Sequence, residues 1–218
     1  GYRASRVANV SSKQAENALS AADSKALPSR QIIAVGASTG GTEAIPKVLA
    51  GLPPDGPGVV VVQHISSAFN KPFANRLNQL LPLTVCSAVH GEPIRRGHVY
   101  VAPPDCQLEL GASLEGYVCL ITDAKPSQLH RPSVDVLFES VADVAGSQAA
   151  GVLLTGMGSD GASGLRKMCD TGAVTIAQDE STSVVWGMPG SAVKAGAAKI
   201  VAPLDAIAGH AMAAFGGS

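Results

Sequence analysis

Residues 32–42, which read IIAVGASTGGT, decide the fold class of this chain. Four apolar residues lead into a short run of glycine, alanine, serine and threonine, and residues 42–52 continue with apolar side chains at helical spacing. A short apolar run without polar alternation is typical of a strand that is buried on both faces. The stretch therefore predicts a strand, a tight turn and a helix, which is the repeating unit of an α/β domain.

The same unit recurs along the chain. Residues 59–62 are four valines and give the clearest strand signal in the sequence. Further strands are predicted over 151–154, 174–177 and 199–201, and helices over 72–81, 162–170 and 205–215 and after the capping residue Ser133. Residues 83–122 instead contain short apolar runs separated by turn signals, which predict short strands with at least two in a hairpin. The predicted fold is α/β: a doubly wound, mostly parallel sheet flanked by helices, with a short antiparallel hairpin insertion.

Composition limits the possible functions. Of the 218 residues, 46% are hydrophobic and 15% are charged, which fits one domain with a well-buried core and argues against a disordered chain. The formal net charge of −1 gives no field that would recruit nucleic acid. No apolar run approaches the roughly 18 residues of a membrane-spanning helix. The four cysteines contain no CxxC pair, so we expect reduced thiols in a cytoplasmic protein, without a metal site and without membrane insertion.

The turn between the first strand and the first helix fits three known motifs to different degrees. A P-loop has the glycine spacing of Gly36 and Gly41 but needs a lysine where Thr42 stands. A dinucleotide fingerprint needs a glycine at the position of Ser38. The G-x-S-x-G pattern is complete over residues 36–40, and it presents a serine hydroxyl on a sharp turn beside backbone N–H groups. A turn that binds a phosphate, or no ligand, stays open as an alternative.

Two other strand ends carry the groups that a serine nucleophile needs. His64 follows the four valines, and Asp160 lies in the glycine-rich turn over 155–161. The carboxyl ends of parallel strands meet at one edge of a sheet, so these side chains and Ser38 are expected at the same rim. A serine needs an imidazole to take its proton, and the imidazole needs a carboxylate to orient it. The sequence therefore predicts Ser38 as nucleophile, His64 as base and Asp160 as orienting acid.

The order of these groups along the chain leaves one alternative base. In α/β-hydrolases the acid precedes the histidine, and in that order the base would be His210, five residues after Asp205. His210 falls inside the predicted last helix, away from any strand end. His64 is therefore the favoured base, and near-normal activity in His64→Ala would direct attention to His210 or His130 instead.

Several motifs together resemble the bacterial chemotaxis protein-glutamate methylesterases, the CheB family. Residues 33–44 resemble that family's active-serine segment, Gln63-His64 its base segment and residues 154–161 its acid segment. Further matches are HRPSVDVLF at 130–138, AQDE at 177–180 and GMP at 187–189, so that the resemblance runs from about residue 32 to about residue 201. The chain departs from the family at Ser66-Ser67, where many members have prolines, and at Ser159, where asparagine is frequent. Neither departure removes a catalytic group.

The resemblance implies a serine hydrolase that needs no cofactor. It implies removal of methyl groups from γ-glutamyl methyl esters on the cytoplasmic helices of chemoreceptors, with release of methanol, and deamidation of receptor glutamines as a secondary activity. It implies catalysis by Ser38, His64 and Asp160, with oxyanion donors among the backbone N–H groups near Thr39 and Met157. A non-catalytic nucleotide-binding or phosphate-binding module, and a regulatory domain that keeps the fold without turnover, are the competing interpretations.

The resemblance also implies a domain organisation. Residues 1–30 carry five basic and two acidic side chains and read as a polar linker. In the family, a receiver domain that a chemotaxis histidine kinase phosphorylates precedes such a linker. We therefore expect residues 1–30 to be an interdomain linker and residues 31–218 to be the methylesterase catalytic domain.

Overall fold

The computed structural model describes residues 27–123 and 129–216. In these two ranges the chain forms nine strands and six α-helices. The strands are β1 (Ile32–Ala37), β2 (Gly58–Gln63), β3 (Thr84–Ser87), β4 (His98–Val101), β5 (Cys106–Ala112), β6 (Tyr117–Asp123), β7 (Ala149–Leu153), β8 (Val174–Gln178) and β9 (Ile200–Ala202). The helices are α1 (Gly41–Ala50), α2 (Ser67–Leu80), α3 (Val134–Ala145), α4 (Ala162–Asp170), α5 (Met188–Lys194) and α6 (Ile207–Ala213).

The main sheet has seven parallel strands in the order β3-β4-β2-β1-β7-β8-β9. β5 and β6 form a separate antiparallel pair, which is the hairpin insertion that the sequence predicts. β1 lies in the middle, with β2 on one side and β7 on the other. The chain therefore winds outward in both directions from β1, and the crevice of such a sheet opens at the carboxyl ends of β1 and its neighbours. The predicted fold class is confirmed.

Two hydrophobic cores cover the two faces of the sheet. Alternate residues of β1 enter opposite cores, Ile32 and Ala34 on one face and Ile33 and Val35 on the other, and all four are fully buried. The first core lies under α3, α4, α5 and the β5–β6 hairpin, and the second lies under α1, α2 and α6. Burial on both faces explains why β1 reads as a continuous apolar run.

The structure refines the sequence-based elements at three places. α2 begins at Ser67, five residues earlier than predicted, and Pro72 lies inside the helix. The sequence pattern did not show this start because the first residues of the helix are mostly exposed and lack an apolar period. α5 was not predicted, since its seven residues are too few for a clear period. Of the short strands over 83–122, β3 and β4 join the parallel sheet and only β5 and β6 form the hairpin.

The chain enters the domain before the first strand. Residues 1–26, most of the expected linker, lie outside the described residues. Ser29 is buried, its N–H donates to the Ile94 carbonyl at 2.8 Å, and its hydroxyl accepts from the Gly58 N–H at 3.0 Å. The end of the expected linker is thus held against the amino end of β2.

The lengths of the helices and the state of the cysteines can be compared with the expectations from composition. Within residues 27–123 and 129–216, every helix is too short or too polar to cross a membrane. All four cysteines are free, and burial raises the pKa of the Cys86 thiol to about 11.

Candidate active site

Ser38 directly follows β1, on the turn that leads into α1. Its N–H donates to the Thr155 carbonyl at 3.0 Å, and its own carbonyl accepts from the Gly41 N–H and from Gln63 Nε2, both at 2.8 Å. Gly40, the residue before α1, has a φ of 84°, in the left-handed region. The predicted strand–turn–helix is therefore present, and three hydrogen bonds fix the backbone of Ser38.

His64 lies next to Ser38 at the end of the neighbouring strand. Ala37 of β1 is in register with Gln63 of β2, and the His64 N–H donates to the Ala37 carbonyl at 3.0 Å. Side chains alternate between the two faces of a strand, so Ser38 and His64 both continue the face that packs under α3. The sheet register thus brings the predicted nucleophile and the predicted base together.

Asp160 reaches the His64 ring from the turn after β7. His64 Nε2 lies 2.8 Å from Asp160 Oδ2, and the two side chains are 15% and 5% exposed. Asp160 Oδ1 accepts from the Ser133 hydroxyl at 2.9 Å and from the Asp135 N–H at 3.0 Å, and Oδ2 accepts from the Val134 N–H at 2.8 Å. These donors form the amino end of α3, where the helix dipole favours a negative charge.

The hydrogen bonds decide the charge of Asp160. Burial by itself raises the pKa of this carboxyl, but the hydrogen bonds from His64, from the N–H groups of Asp135 and Val134 and from the Ser133 hydroxyl outweigh it. They hold the pKa of Asp160 well below its usual range. Asp160 is therefore an ionised carboxylate at neutral pH, as an orienting acid must be.

A glycine in β1 allows α3 to come this close. A Cβ placed on Gly36 would overlap the side chain of Val134, the first residue of α3. Any larger residue at position 36 would displace the start of α3 and, with it, the carboxylate that the helix binds. The glycine of the motif thus serves the position of the acid as well as the turn of the nucleophile.

The Ser38 hydroxyl is not hydrogen-bonded to the other two residues of the predicted triad. Among the described residues it makes no hydrogen bond, and His64 uses Nε2 for Asp160. Nδ1 is therefore the ring nitrogen that is left to accept a proton, the reverse of the trypsin-like arrangement, in which Nε2 faces the serine. The side chains of the predicted base and acid are in contact. The predicted nucleophile is near them because the His64 N–H binds the carbonyl of Ala37, the residue before Ser38.

The backbone N–H groups of Thr39 and Met157 were the predicted oxyanion donors. Neither has an acceptor within the described parts of the chain. Gly156 lies against the nucleophile, since a Cβ there would come within 2.8 Å of Ser38 Cβ, and this brings the neighbouring Met157 to the same rim. The Met157 side chain is 74% exposed, so it forms part of the open surface of the site.

His130, which the sequence offered only as a substitute for His64, lies beside His64 in the structure. Its ring stacks on the His64 ring with 4.4 Å between the centroids and 12° between the planes. Its carbonyl accepts from Gln107 Nε2 at 3.0 Å. The segment that contains it follows the hairpin, and no pattern within residues 130–133 indicates which ring it meets.

One group of side chains has atoms close enough to be considered for a metal ion. Ligand atoms of His64, His130 and Asp160 all lie within 4.8 Å of one another. Two stacked imidazoles direct their in-plane lone pairs side by side rather than toward one point, and both oxygens of Asp160 already accept hydrogen bonds. The arrangement is better suited to proton transfer than to metal coordination.

Sequence reasoning also missed three buried glutamines around the site. Gln63 ends the otherwise apolar strand β2, Gln178 ends β8, and Gln107 lies in β5. Gln178 Oε1 accepts from the Thr155 N–H at 2.8 Å, and Gln107 Oε1 accepts from the Ser133 N–H at 2.7 Å. A polar residue that ends a fully buried strand is the signal that would have found two of them.

The alternative base lies elsewhere in the molecule. His210 is exposed on α6, which packs on the opposite face of the sheet from α3. The contact between His64 and Asp160 favours His64 as the base.

Comparisons with known proteins identify relatives of the whole described domain. The CheB methylesterase family model matches residues 33–211. The chain is 50% identical to a protein-glutamate methylesterase/protein-glutamine glutaminase 2 of Saccharophagus degradans, over 87% of this chain and 54% of that protein. It is 51% identical to a protein of Hydrogenovibrio crunogenus with the same double activity in its name, over 83% of this chain and 48% of the relative. The chain thus spans about half the length of these curated relatives.

A solved structure gives the same result for the fold. The CheB methylesterase catalytic domain of Thermotoga maritima superposes with a TM-score of 0.81 and 36% sequence identity, covering 85% of this chain and 98% of that one. The residues matched by the family model include Ser38, His64 and Asp160. The chain belongs to the CheB methylesterase family.

Proposed function

We propose that this chain is a protein-glutamate methylesterase that acts in chemotaxis. Its substrates are γ-glutamyl methyl esters on the cytoplasmic helices of chemoreceptors, and its products are methanol and the glutamate side chain. The observation that carries the proposal is the 2.8 Å contact between His64 and an ionised Asp160, beside the turn that presents Ser38. A base that is held by a buried carboxylate next to a serine is the arrangement that ester hydrolysis through an acyl-enzyme requires.

The first half of the reaction forms the acyl-enzyme. Ser38 Oγ attacks the ester carbonyl carbon while His64 Nδ1 accepts the hydroxyl proton. The N–H groups of Thr39 and Met157 stabilise the negative oxygen of the tetrahedral intermediate, an effect typically worth about 10²–10³ in rate per donor. His64 then gives its proton to the leaving methoxide, so that methanol departs and the glutamyl group stays on Ser38. Asp160 stabilises the protonated His64 between these two transfers.

The second half releases the product. A water molecule attacks the acyl carbon while His64 accepts one of its protons. The tetrahedral intermediate collapses, His64 returns a proton to Ser38, and the glutamate carboxylate leaves. Hydrolysis of a glutamine side chain follows the same route with ammonia in place of methanol, and we propose it as a secondary activity because the relatives carry both activities in their names.

The proposed context is a longer, regulated protein in the cytoplasm. The chain spans about half of its curated relatives, which leaves room for a further domain in those proteins. We propose that residues 1–30 are the linker that joins the catalytic domain to a receiver domain, with a chemotaxis histidine kinase as its phosphate donor. The polar composition of residues 1–30 and their excess of basic over acidic side chains support this division.

Methanol release from a methylated chemoreceptor preparation tests the proposal. Wild-type protein is expected to release methanol, and Ser38→Ala is expected to release none above background. A serine-directed fluorophosphonate should label wild-type protein at Ser38, as located by peptide mass spectrometry. Labelling elsewhere, or methanol release by Ser38→Ala, would reject Ser38 as the nucleophile, and no methanol release by wild type would reject the esterase. A melting shift with nucleotide or phosphate but no labelling would support the binding module instead.

A further inference from the structure

Gln63 connects the two residues that are proposed to react. It is the last residue of β2, and only 3% of its surface is exposed. Its Nε2 donates to the Ser38 carbonyl at 2.8 Å and to the His64 carbonyl at 3.0 Å. One side-chain NH₂ group thus binds the backbone of both the nucleophile and the base.

The geometry of a carboxamide makes this connection rigid. The two N–H bonds of the NH₂ group lie in one plane at a fixed angle, so two acceptors on the same nitrogen are held at a set separation. The amide is packed against Gly41, where a Cβ would overlap Gln63 Oε1, and so it cannot move toward α1. Buried hydrogen bonds are also stronger than exposed ones because little water competes for them.

The other end of the same amide shows what this arrangement costs. Gln63 Oε1 is buried and has no hydrogen-bond partner among the described residues. A buried acceptor without a partner typically costs about 1–3 kcal/mol. Rotating the amide by 180° would not help, since Oε1 would then face two carbonyl oxygens.

The two other buried glutamines behave differently. Gln178 accepts from the Thr155 N–H and donates to the Thr182 carbonyl at 2.8 Å. Gln107 accepts from the Ser133 N–H and donates to the His130 carbonyl. Both use oxygen and nitrogen, as buried amides usually do, whereas Gln63 gives up one bond to direct both N–H groups at Ser38 and His64.

We infer that Gln63 is a positioning residue of the proposed esterase, whose NH₂ group sets the separation between Ser38 and His64. It contacts no reacting atom and acts through the backbone of the two residues that do. The inference rests on the proposed function, because it has meaning only if Ser38 and His64 react. A misplacement of about 1 Å in such a pair can cost about 10² in rate.

The main test replaces Gln63 by a residue of similar length without a donor. Gln63→Met is expected to lower kcat for methanol release, and the rate at which the fluorophosphonate labels Ser38, by about 10-fold to 100-fold with little change in KM. Asn70→Leu is the matched control, since Asn70 is a buried amide that donates to the Ala102 carbonyl at 3.0 Å and makes no hydrogen bond to Ser38 or His64. A loss of labelling rate in Gln63→Met no greater than in Asn70→Leu would overturn the inference.

A second variant keeps the shape of the side chain and changes only its donor. In Gln63→Glu the ionised carboxylate cannot donate to the two carbonyls, whereas the protonated acid can donate to one. The ratio of the kcat of Gln63→Glu to that of wild type is therefore expected to rise as the pH falls, which a purely structural defect would not produce. A pH-independent ratio contradicts the inference, and this test holds even if Gln63→Met does not fold.

The two proposals fail in distinguishable ways. No methanol release by wild type would remove the proposed function, and methanol release by Ser38→Ala would remove Ser38 as the nucleophile and the role of Gln63 with it. Loss of activity in Ser38→Ala together with normal kcat and labelling in Gln63→Met would overturn only the positioning role.

Discussion

The two halves of the candidate active site are held in place by different means. The His64–Asp160 half is fixed through side chains, and the carboxylate also receives hydrogen bonds from the amino end of α3. The Ser38 half is fixed through its backbone, and its hydroxyl makes no bond within the described ranges. A buried charge must be satisfied for the domain to fold, whereas a hydroxyl can rotate and stay available. If the proposed function holds, Asp160 contributes to stability and chemistry together, and the Ser38 hydroxyl contributes to chemistry alone.

The largest effect on methanol release is expected for Ser38, whose hydroxyl makes no hydrogen bond within the described residues. Ser38→Ala should lower methanol release by about 10⁵-fold or more, because no other group can form the acyl-enzyme. The urea unfolding free energy should stay within about 0.5 kcal/mol of wild type, because the backbone bonds of Ser38 do not involve the hydroxyl. Ser67→Ala, at an exposed serine that begins α2, is the control and should change neither measurement. A clear loss of stability in Ser38→Ala would contradict the proposed difference between the two halves.

Asp160 should show both effects at once. Asp160→Asn is expected to lower kcat by about 10³–10⁴-fold, since an amide cannot hold His64 in the same tautomer. Asp160→Ala should in addition lower the unfolding free energy by about 2–3 kcal/mol, because Ser133, Val134 and Asp135 lose their acceptor.

An exposed carboxylate provides the control for Asp160. Asp143 pairs with Lys167 at 2.6 Å on the surface of the domain, and Asp143→Asn should cost less than about 1 kcal/mol in urea unfolding. If Asp160→Ala were as stable as Asp143→Asn, the acid would have no structural role and the two halves of the site would be alike.

A smaller effect should come from the ring that stacks on His64. His130→Ala is expected to lower kcat by about 3-fold to 10-fold, because a stacked aromatic pair contributes about 0.5–1.5 kcal/mol to the orientation of its rings. His130→Phe keeps a stacking surface and should retain most of the activity. His98→Ala removes a ring that stacks on Tyr100 elsewhere in the domain and should leave methanol release unchanged. Equal losses in His130→Phe and His130→Ala would mean that the imidazole acts through its nitrogens instead.

The sequence predicted those parts of the molecule that depend on local pattern. β1, β2 and β7 are recognisable because strands buried on both faces are nearly continuous apolar runs. Ser38, His64 and Asp160 could be proposed because each directly follows such a strand or its glycine-rich turn. The helix after Ser133 was also predicted, and the Ser133 hydroxyl does accept from the Val136 N–H at 3.4 Å.

The remaining features depend on contacts between distant segments. Ser133 looked sufficient as a helix cap, and nothing local indicated that Asp160 shares this task. The stacking of His130 on His64 follows from where α3 begins relative to the sheet, which only the packed structure fixes. The roles of Gln63 and Gln178 were hidden because a glutamine after an apolar strand also fits an ordinary strand end. Local pattern therefore indicated the groups that are proposed to react, and tertiary packing supplied the groups that hold them.

The smallest effect is expected for Asp135, the other carboxylate in the His64–Asp160 half, whose pKa is shifted in the opposite direction to that of Asp160. Burial raises the pKa of the Asp135 carboxyl to about 6, and the nearby Asp160 carboxylate adds to this, against the N–H groups of Gly164 and Gly161. A raised pKa in the folded state means that protonation of Asp135 stabilises the fold. This contribution is complete below the ordinary pKa of about 4 and is lost as the pH rises through about 6. Asp160, whose pKa is lowered, stays ionised over the same range.

Urea unfolding of wild type and Asp135→Asn between pH 4.5 and 7.5 measures this contribution. The unfolding free energy of wild type minus that of the variant should fall as the pH rises through about 6 and then level off, because only the wild type has a carboxyl to titrate at position 135. Glu180→Gln, at an exposed glutamate outside α3, should give a difference from wild type that does not follow this course. A pH-independent difference for Asp135→Asn would mean that Asp135 is as well stabilised in its charged form as Asp160. The amino end of α3 would then hold two equivalent carboxylates, and the preference for Asp160 as the partner of His64 would have to come from the position of its turn alone.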